Sequence, residues 1–231
     1  MDIRQLKSSK ILVIGDACLD VYHFGNCTRL SPEAPVPIFQ LLRKEERRGM
    51  AANVVDNLKG LNNKVDVVVN EQKIYKNRYI DEKTKQHLLR VDEGDDRKIN
   101  ELSIEKVDNI KFKKYDAIVV SDYNKGFLSY ETVRRLLKQI HKVNSKVPVF
   151  VDTKKTNLLI FENHSNCIIK INESEYKSLD DFTWGNFKLI VTLGKNGAWW
   201  VDENRYYKTE EAGVFDVCGA GDVFLAALTS S

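Results

Sequence analysis

The segment FDVCGAGDVFLAALTSS at 215–231 holds the residues best suited to chemistry. Gly219 and Gly221 flank Ala220, and two glycines so spaced let a backbone come close to an anion. A helix opening there adds the positive end of its dipole. Asp222 stands at the mouth of that turn. A carboxylate there can take the proton of an attacking hydroxyl, while the backbone of Gly219, Ala220 and Gly221 stabilises charge on a transferred phosphoryl group. The plainer alternative is a glycine turn without a ligand. Cys218 has no histidine near it in sequence and reads as a small packing residue.

Other polar groups sit where strands should end. The first apolar run closes in GDACLD, which places Asp16 and Asp20 at a strand tip; a turn aspartate plus a surface aspartate is the alternative. RRGMAANVVDNL (47–58) is a turn into an Ala-rich helix whose start would present N–H groups and Asn53 to the same crevice, or would simply pack closely. SDYNKGFLS (121–129) carries Asp122 and Lys125 just past another strand, as ligand groups or as a charge pair. In INESEY (171–176), Asn172 and Glu175 are spaced either to orient waters around Mg²⁺ or to cap the following helix, and capping is favoured.

These groups need a scaffold that aligns strand tips. KILVIGD (10–16), VDVVV (65–69), AIVVSD (117–122), VPVFVD (147–152), CIIKIN (167–172) and KLIVTLG (188–194) read as strands, several of them apolar on both faces. Helices are expected at about 50–60, packing through Ala51, Ala52, Val54, Val55 and Leu58, and at about 130–144, with Ser129 as N-cap. Strand and helix in alternation predict an α/β fold: a mostly parallel sheet with helices on both faces. Residues 20–48 and 73–92 break that rhythm as extended, polar-alternating stretches and predict a small projecting β-sheet. Three of the four prolines, at 32, 35 and 37, stiffen the first stretch. The expectation is one domain over 1–231, with these lid strands inserted in its core.

Bulk composition excludes several classes. The 231 residues are 42% hydrophobic and 30% charged, as in ordinary globular proteins. Lys plus Arg (36) nearly balances Asp plus Glu (33), so a net charge of +3 gives no argument for nucleic acid. The basic stretch RRLLKQIHK (134–142) reads as the solvated side of an amphipathic helix. No run approaches the roughly 20 apolar residues of a membrane span. Four scattered cysteines and four isolated histidines suggest neither a disulfide framework nor a metal cluster, and the expected setting is the cytoplasm. A nucleotide-binding oxidoreductase would need GxGxxG after the first strand, and none is there.

In this order the pieces resemble the ribokinase-like (PfkB) carbohydrate kinases, over nearly the whole chain. GDACLDVYHFGNCTRLSPEAPVPIF, RRGMAANV, KNRY…LLRVD, SDYNKG, VDTKK, INESEY, VTLGKNG and DVCGAGD follow in family order. SPEAPVP and SDYNKG are similar to the branch that phosphorylates heptose 7-phosphate at O1. The resemblance implies Asp222 as general base and the Gly219–Gly221 backbone as anion hole. It implies Asp16, Asp20, Arg29, Asn53, Asp122 and Lys125 on the sugar side. Asn172 and Glu175 would lie near Mg²⁺ and the phosphates of ATP, with Glu175 as metal ligand, and Thr192, Gly194 and Gly197 near the nucleotide. A small sugar phosphate is the implied partner, along with a homodimer through the lid.

The chain also departs from that pattern. Met50 replaces a glycine and is expected to crowd the sugar; Thr153 replaces a proline and Cys218 a threonine. A helix and strand expected after VDVVVN are missing, and a second shortening lies around 178–188. After Asp222, VFLAALTSS is expected to give at most about two helical turns, poorly fixed in position. These departures motivate the alternative of a degenerate, non-catalytic relative that binds a sugar or a partner protein.

Overall fold

Six parallel strands form the core in a computed structural model, which describes residues 7–95, 99–180, 187–209 and 219–231. In chain order, β1 (Lys10–Gly15) leads to β2 (Ala17–Leu30), β3 (Pro37–Met50), α1 (Ala51–Gly60) and β4 (Lys64–Val69). Then come β5 (Tyr75–Asp81), β6 (His87–Glu93), α2 (Ile104–Asp108), β7 (Ala117–Asp122), α3 (Tyr130–Asn144) and β8 (Val149–Thr153). The chain continues through β9 (Cys167–Asn172), α4 (Glu173–Lys177), β10 (Lys188–Thr192), β11 (Ala198–Trp200), β12 (Arg205–Tyr207) and α5 (Ala220–Ser230). The large sheet runs β12-β11-β10-β9-β8-β7-β1-β4, parallel from β10 to β4 and antiparallel through β11 and β12.

The strands are apolar on both faces because helices cover both. Along β1, Ile11 and Val13 join a core cluster with α1 and α5, while Leu12 and Ile14 join the opposite cluster with α3. β7 repeats the division, Ala117 and Val119 to one side and Ile118 and Val120 to the other. Ser129 caps α3 by accepting from Thr132 N, and Val133, Leu136, Leu137 and Ile140 lie buried along one face. Truncating one of these leucines to alanine costs about 2–5 kcal/mol.

The two stretches that break the rhythm form a separate four-stranded sheet, ordered β3-β2-β5-β6. β2–β3 and β5–β6 are antiparallel hairpins, and β2 pairs β5 in parallel, so the sheet is mixed. Asp81 sets the second hairpin turn by accepting from Thr84 N at 2.7 Å and Thr84 Oγ1 at 2.9 Å.

The part of α5 (Ala220–Ser230) that follows Asp222 makes about two turns, as expected, and Gly219 precedes the helix in the left-handed region, φ 80°. The seating of α5 is what differs from expectation. Its position is well fixed: Leu225 and Ala226 are fully buried in the cluster that holds Ala51, Val54, Val55 and Leu58. Asn63 Nδ2 also donates to Ser230 Oγ at 2.9 Å. The packing partner of this helix is α1, upstream in the chain. β11, β12 and α2 were not anticipated, since three to five residues carry too little periodicity to register. Cys218 and the stretch 181–186 fall outside the described residues. Among the described residues, no helix is long and apolar enough to cross a membrane.

Candidate active site

The parallel strands end along one edge, and the first turn of α5 arrives there. Asp222, in that turn, is 4% exposed. Asn53 Nδ2 donates to its Oδ2 at 2.7 Å and Tyr123 OH to its Oδ1 at 3.0 Å. Burial pushes the Asp222 carboxyl above its ordinary range; the Asn53 and Tyr123 hydrogen bonds and the Lys170 charge pull the other way. Each carboxylate oxygen keeps a second lone pair, so these two donors orient the group without exhausting it.

α1 supplies Asn53, and Asn57 one turn later fixes it. Asn57 Nδ2 donates to Asn53 O at 2.9 Å and to Asn53 Oδ1 at 3.2 Å. With its amide oxygen engaged, Asn53 turns its NH₂ to Asp222. Space for this contact exists because residue 219 is glycine: a Cβ there would stand 2.8 Å from Asn53 Nδ2. At Gly221 a Cβ would stand 2.7 Å from Lys170 Nζ.

Asp16 follows β1, with no exposed surface, and its Oδ2 accepts from Lys125 N at 3.3 Å. Among the described residues its buried Oδ1 has no hydrogen-bond partner. Burial, reinforced by the nearby Asp122 charge, pushes its carboxyl up. A buried acceptor left open is suited to a ligand hydroxyl. Lys125 itself pairs with Asp95, Nζ to Oδ2 at 2.7 Å.

Asp122 is engaged by groups of the protein. Its carboxylate accepts from Asn124 N at 2.9 Å and Thr153 Oγ1 at 2.9 Å, and pairs with the buried Lys155 at 3.1 Å. Lys155 Nζ also donates to Leu128 O at 2.7 Å, so the pair anchors the loop that carries Tyr123 and Lys125. Asp20 pairs with the buried Arg78 across β2 and β5. Arg29 is exposed near the far end of β2, nine residues or roughly 30 Å along the strand from Asp20, and is not brought to the site. Met50, expected to crowd the sugar, is 3% exposed in the core cluster that includes Cys18 and Ile74. Its backbone is unusual, at φ 57° and ψ −134°.

Asn172 and Glu175 form a reciprocal capping box at the start of α4, each side chain accepting from the other's N–H at 2.8 Å. Glu175 Oε1 lies 3.9 Å from Lys154 Nζ. Among the described residues no group of three or more His, Cys, Asp or Glu is placed to hold a metal. Glu175 lies close enough to Asp152 for its charge to raise that carboxyl.

Thr192, Gly194 and Gly197 line a cleft of about 370 Å³ together with Ala220, Gly221 and Phe224. The turn of α5 thus joins two sets of groups, with Asp222, Asn53 and Tyr123 on one side and this cleft on the other. Sequence reasoning passed over Tyr123, Asn57, Asp152 and Lys170. The signal for Lys170 was a lone charge inside the apolar strand CIIKIN, and Tyr123 lay unremarked inside SDYNKG.

Residues 56–231 match the pfkB family of carbohydrate kinases, and the chain belongs to that family. It is similar to the bifunctional protein HldE of Nitratiruptor sp., 32% identical over 95% of this chain and 56% of that protein. HldE of Pasteurella multocida is 30% identical over 98% of this chain and 56% of that protein. The chain thus spans a little over half the length of these relatives. The first alignment extends over 266 positions, more than the 231 residues here, so that relative carries residues inside the aligned region that this chain lacks. Phosphofructokinase-2 from Escherichia coli, in complex with potassium, superposes with a TM-score of 0.70 at 15% identity, covering 96% of this chain and 85% of that one. A ribokinase from Thermotoga maritima gives 0.63 at 17% identity, covering 95% and 84%. At these identities the likeness concerns the fold.

Proposed function

We propose that the chain is an ATP-dependent kinase that phosphorylates a hydroxyl of a sugar phosphate, with heptose 7-phosphate at O1 as the substrate. The observation that carries this reading is Asp222, held by Asn53 and Tyr123 in the first turn of α5 beside a nucleotide-sized cleft. The sugar binds between the strand tips and the small sheet, with the open oxygen of Asp16 accepting one of its hydroxyls. Asp222 takes the proton of the attacking hydroxyl, so that the oxygen meets the terminal phosphorus as an alkoxide. A new O–P bond forms, the bond from that phosphorus to the bridging oxygen of ATP breaks, and ADP leaves with the electron pair. The N–H groups that open α5 have no intrahelical acceptors and stabilise charge on the phosphoryl oxygens. Asn172 caps α4 and fixes Glu175, which would hold Mg²⁺, the ion that neutralises charge on the ATP phosphates.

The alternative of a non-catalytic relative draws on Met50 and on the family helices expected after Asp222. Met50 is packed into the core, which weakens the first ground, and α5 is seated on α1. Leu41, Leu42 and Leu89 on the small sheet are more than half exposed, which supports a second copy of the chain as the cover for that sheet. Cytoplasmic ATP is the proposed phosphoryl source. The test is ADP release with heptose 7-phosphate, compared with other sugar phosphates and with none. Sugar-independent ADP release, or none with any sugar phosphate, removes the proposal.

A further inference from the structure

Lys170 sits within a buried parallel strand, where a charge is costly unless it is matched. Its β9 neighbours Ile169 and Ile171 have no exposed surface, and Lys170 itself is 4% exposed. Its ammonium donates to Asp152 Oδ2 at 2.7 Å on the adjacent strand β8. An ammonium carries three donors, and Asp152 is the partner found among the described residues. The side chain reaches the first turn of α5 from beneath, since a Cβ on Gly221 would stand 2.7 Å from Nζ. That turn is also where a helix presents N–H groups without intrahelical acceptors. Gly221 lines the cleft with Thr192 and Gly194, and the Lys170 charge reaches Asp222 on the other side of the turn.

A purely structural reading explains this poorly. A buried ion pair is usually no more stabilising than an apolar pair of the same size. This one stands where the proposed reaction develops negative charge.

We propose that Lys170 is the buried cation that receives the transferring phosphoryl group, with Asp152 as the counter-ion that holds it beneath Gly221. The inference rests on the kinase reading and names the side chain that supports the anion hole. Lys170 keeps its three protons throughout, while the sugar proton goes to Asp222 and the electron pair leaves with ADP. Its contribution is attraction to the phosphoryl oxygens, which is strongest as they gather charge. Burial pushes the Asp152 carboxyl up, and the Lys170 charge and hydrogen bond oppose that shift.

Lys170→Met alone would strand a buried carboxylate, so the test uses Lys170→Met/Asp152→Leu, which removes both charges. Gly221→Ala keeps both charges and displaces the ammonium. Each variant is compared with wild type for its melting shift with inorganic tripolyphosphate and for kcat at saturating heptose 7-phosphate. Expected are a tripolyphosphate shift in wild type and in Asp222→Asn, its loss in the double variant, and its weakening in Gly221→Ala. Turnover in the double variant should fall by about 100-fold. An equal shift in wild type and in Gly221→Ala or the double variant overturns the proposal, as does no shift in wild type. If wild type shows the shift without turnover, the kinase reading fails while the Lys170 site stands.

Discussion

Asn53 and Asp222, 169 positions apart, meet at 2.7 Å across the packed faces of α1 and α5. The contact depends on a third residue, because Gly219 leaves the space through which the Asn53 amide reaches. It ties the orientation of the proposed base to the seating of the last helix on the first.

Asn53→Leu should separate these two roles. The apolar packing of Leu225 and Ala226 on α1 remains, so stability should fall by only about 1 kcal/mol. Asp222 loses one of its two orienting donors, and a misplacement of about 1 Å costs on the order of 100-fold in kcat/KM. A melt beside steady-state kinetics checks this. Unchanged kcat/KM would show that Asn53 does not orient the base.

Tyr123 provides a pH test. Its hydrogen bond lowers the Asp222 carboxyl, opposing burial, and burial keeps the phenol a donor by pushing its own titration upward. Tyr123→Phe removes the lowering contribution, so Asp222 should protonate at a higher pH than in wild type. The base works as the anion, and the acidic limb of kcat/KM therefore moves to higher pH. A limb that stays in place contradicts the assignment.

The Lys155–Asp122 pair should behave as structure. Both side chains are nearly fully buried, at 2% and 1% exposure, and they anchor the loop that carries Tyr123. Lys155→Met leaves the Asp122 carboxylate buried without its cation and should cost about 3–5 kcal/mol, read by urea unfolding. A loss below 1 kcal/mol would show that the loop holds without the pair.

Met50 combines a left-handed φ of 57° with a side chain only 3% exposed. Met50→Ala loses the packing and keeps the backbone strain, whereas Met50→Gly loses the packing and relieves the strain. Glycine should therefore be the more stable replacement by about 1 kcal/mol, despite its larger loss of backbone freedom on folding. Thermal melts of the two variants decide it, and alanine melting higher would show that the backbone is not strained there.

The parallel sheet was legible because both its faces are covered, so β1 and β7 read as apolar runs, and Ser129 announced the start of α3. Gly219, Gly221 and Asp222 stood out by their spacing, and the structure places them at the start of α5. Other parts depend on distance in space rather than along the chain. Asp122 reads as a strand-tip ligand, yet Lys155 and Thr153, from the next strand and its loop, claim its carboxylate. α5 reads as unsupported because its partner is 169 residues upstream at Asn53. Arg29 sits in a matching motif, but the length of β2 carries it away from Asp20.

Asp222→Asn tests the central claim most directly, because the amide keeps the shape of the carboxylate and removes the base. Wild type should release ADP only when heptose 7-phosphate is present, and the variant should fall by about 1,000-fold or more while keeping its melting temperature within a few degrees. Turnover in Asp222→Asn equal to wild type would contradict the account.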